Sequence, residues 1–192
     1  ELVMLSVLDD LRLNADVNKA TALILLDLSV AFDTIDHTIL LHRMAAMGIA
    51  GSALLWTSSF LRDRSQKVRL GRLVSATKML SCGVPQGSSL SPLLFNIYLQ
   101  PLVAALAQLD CQIYNYSGDT QLVLHIDNST RSQLNVQNIL RFTANWMTKN
   151  YLKINPDKTE VMAISAKGSP WMDLYWPPDL GTLPHPRSQR LQ

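Results

Sequence analysis

The stretch Ile113-Tyr114-Asn115-Tyr116-Ser117-Gly118-Asp119-Thr120-Gln121-Leu122-Val123-Leu124 decides how this chain folds. Two apolar, β-prone runs flank the short polar centre Ser117-Gly118-Asp119. Glycine adopts positive φ easily and aspartate tolerates turn geometry, so the pattern predicts a β-hairpin with a carboxylate at its tip. A Gly-Asp pair between two strands is most often only a turn, so the meaning of Asp119 depends on the rest of the chain.

A second carboxylate, Asp27, lies at the end of another apolar run. Residues 20–28 are nearly all apolar, which predicts a strand that is buried on both faces. Two acids at the ends of neighbouring buried strands are the arrangement that a two-metal phosphoryl-transfer site requires. We therefore expect the carboxylates of Asp27 and Asp119 to lie side by side.

The composition is that of an ordinary globular protein. The 192 residues are 47% hydrophobic and carry a formal net charge of +2, which permits nucleic-acid binding without arguing for it. The sequence predicts no membrane span and no signal peptide, and the scattered histidines predict no zinc site. Cys82 and Cys111 suit a reducing compartment, so we expect a nuclear or cytoplasmic protein that is not secreted and does not bind membrane. Because the chain opens on Glu1, we expect a fragment of a longer protein.

Helical periodicity predicts five helices. They cover residues 1–14, 36–48, 52–61, 91–107 and 130–150. Ser91 is the expected N-cap of the fourth helix, with Pro92 at its first position. The residues expected to face inward are Ile39, Leu40, Leu41, Met44 and Met47 in the second helix and Leu134, Ile139, Leu140, Phe142 and Trp146 in the fifth.

A second hairpin is predicted over residues 62–80, with Gly71-Arg72 as its turn. Charged and apolar residues alternate along it, which indicates one basic face and one apolar face. Its basic residues are Arg62, Arg64, Lys67, Arg69, Arg72 and Lys78. Arg64, Lys67 and Arg69 are candidates to bind nucleic-acid phosphates, and a solvated charged face is the alternative.

The C-terminal part divides into two. Residues 152–165 predict a short strand, a turn at Asn155-Pro156-Asp157 and a second strand. Residues 168–192 hold five of the nine prolines and little periodicity, so we expect them to be extended or disordered.

Four motifs follow one another at plausible spacing. They are LDLSVAFDTIDH at 26–37, GVPQGSSLSPLLF at 83–95, YSGDTQL at 116–122 and LKINPDKTE at 152–160. Together they resemble the reverse transcriptase domain of LINE-type (non-LTR) retrotransposons, from about Leu5 to Ile164. The resemblance implies an α+β fold, the right-hand polymerase palm, with an antiparallel sheet, helices packed on one face, and incomplete fingers and thumb. Residues 1–166 would be this partial domain, the palm with part of the fingers, and residues 167–192 a proline-rich tail.

The resemblance also implies a metal and catalytic centre. Asp27 and Asp119 would be its carboxylates, and the backbone of Leu28 would be available to the second metal ion. Lys158 would protonate the departing pyrophosphate. The alternative for Lys158 is a solvated surface lysine in a turn.

Three further residues would contact the nucleotide if the resemblance holds. Phe32 would lie under the sugar and exclude a 2′-hydroxyl by its bulk, and the alternative is an ordinary core aromatic. Gln86 and Gly87 would lie near the templating base and the incoming nucleotide, where glycine lets the backbone approach closely. The alternative for them is a plain loop before a helix.

One position departs from the family pattern. Active members carry Tyr-Ala-Asp-Asp where this chain has Tyr116-Ser117-Gly118-Asp119, so Gly118 is a lost ligand position. A pair of Mg²⁺ ions needs close to octahedral oxygen coordination, so we expect weak or absent Mg²⁺ binding and an impaired RNA-directed DNA polymerase. The implied partners are an RNA template, a DNA primer and deoxynucleotides. The alternatives are a non-catalytic nucleic-acid- or protein-binding module and a relic without selected function.

Overall fold

Helices and an antiparallel sheet make up the computed structural model, which describes residues 2–16, 19–116, 119–127, 129–165 and 189–190. The helices are α1 (Leu2–Asp16), α2 (His37–Ala46), α3 (Gly51–Leu61), α4 (Ser91–Ala107) and α5 (Thr130–Lys149). The strands are β1 (Ala20–Leu26), β2 (Leu28–Ser29), β3 (Ser65–Gln66), β4 (Arg69–Leu70), β5 (Leu73–Val74), β6 (Lys78–Met79), β7 (Cys111–Tyr116), β8 (Asp119–Ile126), β9 (Lys153–Ile154), β10 (Glu160–Ser165) and β11 (Gln189–Arg190). The predicted α+β class is confirmed. None of the described helices combines the length and the apolarity that crossing a membrane takes.

The chain divides into two compact units. The sheet unit comprises Glu1–Ser29 and Leu99–Gln192, and the helical unit comprises Val30–Tyr98. The acids Asp27 and Asp119 belong to the sheet unit, whereas the nucleotide-contact candidates Phe32, Gln86 and Gly87 belong to the helical unit.

The strand β1 is the centre of the five-stranded sheet, whose order is β11-β10-β1-β8-β7. It pairs antiparallel with β8 on one side and with β10 on the other. Five of its seven residues are buried, because helix α1 covers one face with Val7 and Leu11, and the opposite face is also packed. The predicted strand buried on both faces is therefore confirmed, but it ends at Leu26, since β2 turns away to pair with β9.

Helix α5 turns a different face inward from the one predicted. Its buried residues are Val136, Ile139, Leu140, Thr143 and Met147. The prediction was right for Ile139 and Leu140 and wrong for Leu134 and Phe142, which are 52% and 38% exposed. The buried stripe follows strict helical spacing, whereas the prediction gave weight to large apolar side chains that lie off that stripe.

Two details of the helical unit also differ from the prediction. Met47, which was expected to face inward, is 50% exposed, because helix α2 ends at Ala46. Helix α4 already begins at Ser91, so Ser91 is its first residue and not the residue before it, and its hydroxyl donates to the carbonyl oxygen of Pro85. Helix α2 does have a side-chain cap, because the Asp36 carboxylate accepts from the backbone N–H of Ile39 at 2.9 Å.

The second hairpin forms as predicted. Strand β3 pairs with β6 and β4 pairs with β5, which leaves Gly71-Arg72 as the turn. Lys67 and Arg69 alternate with apolar residues along the first arm of the hairpin, and every residue from 65 to 79 is exposed. This hairpin, residues 65–79, is called the basic hairpin from here on.

Most of the proline-rich tail lies outside the described residues, so its expected disorder is not tested. Its described part, Gln189–Arg190, forms an extended strand parallel to β10.

Candidate active site

The carboxylates of Asp27 and Asp119 stand at the same end of two paired strands. The β1–β8 ladder ends with Leu26 opposite Thr120. Continuing that register by one residue sets Asp27 opposite Asp119, and opposed residues of an antiparallel pair have Cα atoms roughly 4.5–5.5 Å apart. Asp27 is half-buried and Asp119 is exposed. The structure thus brings the two acids together, while their role as metal ligands stays a prediction.

The turn of the central hairpin is tighter than the sequence indicated. Tyr116 pairs with Asp119, so Asp119 begins β8 and is not part of the turn. Only Ser117 and Gly118 remain between the strands, and both lie outside the described residues. Gly118, the lost ligand position, is therefore known here by its sequence alone.

The fourth motif is joined to Asp27 through the backbone. The carbonyl oxygen of Asp27 accepts from the N–H of Asn155 at 2.8 Å, just where β1 ends. The Asn155 side chain accepts from the N–H of Asp157 at 3.2 Å, and the carbonyl of Asn155 accepts from the buried Thr159 hydroxyl at 2.8 Å. Lys158 is exposed and ends the short 3₁₀ turn that these bonds hold. The turn that carries Lys158 is thus anchored to the residue beside the candidate metal site.

Oxygen donors are limited at this site. Among the residues that the structure describes, no group of three or more His, Cys, Asp and Glu side chains could hold a metal ion. Asp27 and Asp119 make a pair of hard oxygen ligands, which fits a divalent cation with incomplete protein coordination.

The first strand of the central hairpin is fixed to helix α1. The Tyr114 hydroxyl on β7 donates to the Asp10 carboxylate on α1. Burial, together with this hydrogen bond, raises the pKa of Tyr114 to about 12. The strand that leads to the candidate site is therefore held by a polar contact as well as by the sheet.

In the helical unit, Phe32 contacts a second aromatic ring, whereas Gly87 has open space beside it. The Phe32 ring lies 5.4 Å from the Phe95 ring, centroid to centroid, at a tilt of 53°. This is an ordinary aromatic contact, as the alternative interpretation of Phe32 expects. Gly87 has φ of +81°, and an added Cβ would meet no atom within 4 Å. Backbone conformation therefore favours glycine there, with open space beside it.

Sequence reasoning missed the residues that join the second motif to the first. The carbonyl oxygen of Gly83 accepts from Arg64 at 2.7 Å and lies 2.8 Å from Nε2 of His37. The Gln86 side-chain amide donates to both oxygens of the Asp33 carboxylate, at 2.9 and 3.0 Å. No local periodicity signals such contacts, because the partners are separated by long stretches of chain. Arg64, a candidate for phosphate binding, thus has an internal partner.

These contacts border a pocket of about 510 Å³ within the helical unit. Its lining includes Asp33, Arg64, Gln66 and Gln86. Asp33 and Gln86 present a carboxylate and an amide to solvent, since both side chains are exposed.

Comparison with known proteins identifies the family. Residues 4–183 match the family described as reverse transcriptase (RNA-dependent DNA polymerase). The chain belongs to the reverse transcriptase family. This reverse transcriptase chain is 29% identical over 148 residues to the retrovirus-related Pol polyprotein from type-1 retrotransposable element R2 of Popillia japonica, which covers 73% of this chain and 24% of that protein.

Other relatives of this reverse transcriptase also come from mobile elements. The RNA-directed DNA polymerase from mobile element jockey of Drosophila melanogaster is 28% identical over 138 residues, 69% of this chain and 15% of that protein. The probable RNA-directed DNA polymerase from transposon BS of the same species is 28% identical over 141 residues, 71% of this chain and 16% of that protein. The chain is thus a reverse transcriptase domain of the LINE type and spans about a quarter or less of the length of these relatives.

Solved structures show the same fold. Apo telomerase from Candida tropicalis, truncated from its C-terminal domain, aligns with a TM-score of 0.62 at 16% identity, over 86% of this reverse transcriptase chain and 35% of that one. Telomerase from Candida albicans in complex with a fragment of telomeric RNA aligns with a TM-score of 0.61 at 16% identity, over 81% and 31% of the two chains.

Proposed function

We propose that this chain is the palm part of a polymerase that synthesises DNA on an RNA template, and that the chain is itself catalytically impaired. The opposed carboxylates of Asp27 and Asp119, in a chain of this family, support the first part. Gly118 supports the proposed catalytic impairment, because it occupies the position where active members have the first Asp of Tyr-Ala-Asp-Asp. The substrates would be an RNA template, a DNA primer and deoxynucleotides.

The proposed cofactor is a divalent cation, Mg²⁺ by preference for oxygen ligands. Asp27 and Asp119 would hold it, with the backbone of Leu28 available to a second ion. A bound metal pair supplies charge neutralisation at the phosphoryl group. Without a carboxylate at position 118, the site retains weak affinity for one ion.

The other residues have positioning and proton-transfer roles in this proposal. Phe32 restricts the sugar, while Gln86 and Gly87 lie near the templating base and the incoming nucleotide. Lys158 protonates the departing pyrophosphate from the turn anchored at Asp27.

Repair of position 118 tests the proposal. Gly118→Asp in the 192-residue chain should increase affinity for Mn²⁺ or Mg²⁺, as measured by isothermal titration, with little gain in primer extension. In a longer protein that supplies complete fingers and thumb, the same change should increase the extension rate by roughly a thousandfold, since placed charges provide most of the rate in phosphoryl transfer.

Gly118→Asn is the matched control, because it adds a side chain of similar shape without the charge. It should restore neither metal affinity nor synthesis, and Asp27→Asn in the repaired protein should remove both gains. If the unrepaired Gly118 protein with fingers and thumb extends primers as fast as the repaired one, the assignment of the site is wrong.

A second candidate function is non-catalytic binding of nucleic acid. It is favoured by the basic hairpin, whose Lys67, Arg69, Arg72 and Lys78 side chains are all exposed. No acidic residue occurs between Arg64 and Leu109, so nothing in that stretch of sequence neutralises them. Binding that depends on salt but requires neither metal nor Asp27 would distinguish this function from catalysis.

A further inference from the structure

Asp33 and Gln86 form a side-chain pair that links the first and second family motifs. Nε2 of Gln86 lies 2.9 Å from one carboxylate oxygen of Asp33 and 3.0 Å from the other. An ionised carboxylate can only accept hydrogen bonds, so the Gln86 amide must turn its NH₂ group toward Asp33. The orientation of an amide that is otherwise ambiguous is thereby determined.

The backbone beneath this pair is already docked. Within the helical unit, the N–H of Gly83 donates to Ile35 at 2.8 Å and the N–H of Val84 donates to Phe32 at 2.7 Å. Gly83 lies so close to Asp33 that an added Cβ would be 2.8 Å from its carbonyl oxygen. Asp33 and Gln86 are therefore carried by segments whose separation is set by backbone contacts, so the pair does not depend on the two side chains alone.

Only one end of the Gln86 amide is used in this arrangement. Among the described residues, no group donates to Oε1 of Gln86. Both oxygens of one carboxylate lie in nearly the same direction from Nε2, so they share one N–H. Gln86 can therefore offer a bound molecule the acceptor Oε1 and its second N–H, each on a side that Asp33 determines.

We propose that Asp33 is a positioning residue for Gln86, which holds the amide so that Oε1 faces the nucleotide. The inference rests on the proposed function, in which Gln86 lies near the incoming nucleotide. Asp33 itself touches no substrate in this proposal. It acts by removing the alternative amide orientation, in which NH₂ would take the place of Oε1.

Side-chain amide NMR on the complete 192-residue chain tests the pairing without any need for activity. The Gln86 NH₂ signals, assigned by their loss in Gln86→Ala, should shift in Asp33→Asn, which removes the charged acceptor, and should stay closer to their original positions in Asp33→Glu. Gln66 is the matched control, because it lines the same pocket without pairing to Asp33, and its signals should stay in place in both variants. Gln86 signals that are indifferent to Asp33→Asn would overturn the proposal.

Kinetics in the longer protein with Gly118→Asp test the positioning role. Asp33→Asn should raise KM for deoxynucleotides by roughly tenfold, the scale of one charge-assisted hydrogen bond, with a smaller change in kcat. The same change made together with Gln86→Ala should add nothing further, because Asp33 acts through Gln86. Effects that multiply in the double variant would show that Asp33 acts independently, which contradicts the proposal. If the repaired protein extends no primers at all, the proposed function fails while the NMR result still decides the pairing.

Discussion

Gly83 joins two family motifs at a backbone position that favours glycine over every other residue type. Its φ of +84° lies in the left-handed region, and an added Cβ would be 2.8 Å from the carbonyl oxygen of Asp33. Its own carbonyl oxygen accepts from Arg64, with Nε2 of His37 also within 2.8 Å. The positive φ, the close approach to Asp33 and the contacts of the carbonyl oxygen thus coincide at Gly83. Substitution can separate the cost of the positive φ from the cost of the close approach.

Gly83→Ala should destabilise the protein more than Gly48→Ala. The two glycines have the same φ of +84°, but an added Cβ at Gly48 would meet no atom within 4 Å. Both changes therefore share the cost of a left-handed alanine, about 1 kcal/mol, and only Gly83→Ala adds overlap with backbone atoms, which costs about 1–3 kcal/mol more. Urea unfolding of the two variants measures the difference. Equal losses would mean that the Asp33 and Gly83 segments are not docked as described.

At the level of elements, periodicity predicted the positions of the helices and strands. The type of residue was a poorer guide to which face of a helix is buried. The apolar run before Asp27 and the central hairpin were predictable, because each has a simple pattern over adjacent residues. Helix α5 was harder, since the buried Thr143 is polar whereas the exposed Phe142 is apolar. The Asp33–Gln86 pair was beyond prediction, because its members are 53 residues apart and no sequence pattern links the short 3₁₀ turn that ends at Asp33 to the loop that carries Gln86. The Asp27–Asp119 pair was predictable only because one acid directly follows a strand, the other begins one, and both lie within recognisable motifs.

Thr143→Val on helix α5 should stabilise the protein. The Thr143 hydroxyl is fully buried and has no hydrogen-bond partner among the described residues. Valine has nearly the same shape without the polar atom, so the free energy of unfolding should rise by about 1 kcal/mol. Chemical denaturation measures this change.

Thr57→Val on helix α3 is the matched control. Thr57 is also a buried helical threonine, but its hydroxyl donates to the carbonyl oxygen of Ala53 at 3.0 Å. Its replacement should leave stability unchanged or lower it. A loss of stability in Thr143→Val equal to that in Thr57→Val would show that the Thr143 hydroxyl has a partner in solution.

Across the whole molecule, positive charge is concentrated in one stretch of the sequence. The chain has 17 basic and 15 acidic residues. All five charged residues in the stretch from Arg64 to Leu109 are basic. Removing those five leaves 12 basic residues against 15 acidic residues in the rest of the chain, a net charge of −3. The nearly neutral total therefore conceals a cluster of positive charge, the basic hairpin together with the neighbouring Arg64, on an otherwise acidic chain. Polyanions should be attracted to the hairpin.

Removal of the hairpin charges should weaken binding to an RNA–DNA duplex and reduce its salt dependence. The variant replaces Lys67, Arg69, Arg72 and Lys78 with alanine. The slope of log affinity against log salt concentration should fall by roughly 0.9 for each phosphate that the protein no longer neutralises. Fluorescence anisotropy at several salt concentrations, without divalent metal, measures the slope.

The control for this experiment removes the same total charge elsewhere. It replaces four exposed basic residues outside the hairpin with alanine, namely Arg12, Lys19, Lys149 and Lys153. Its slope should stay close to that of the unmodified chain. If both variants weaken binding equally, net charge alone explains the attraction and the basic hairpin is not the binding surface.

The central position of β1 has a consequence for the protein during its synthesis. Ala20–Leu26 leaves the ribosome well before its partner strands, which begin only at Asp119 and Glu160. At roughly 5–20 residues per second, the most apolar strand of the sheet waits on the order of ten seconds for its neighbours. Closing such long loops also slows folding once synthesis is complete. The strand that organises the finished sheet is thus the segment of the nascent chain most exposed to aggregation, and the one a chaperone would be expected to shield first.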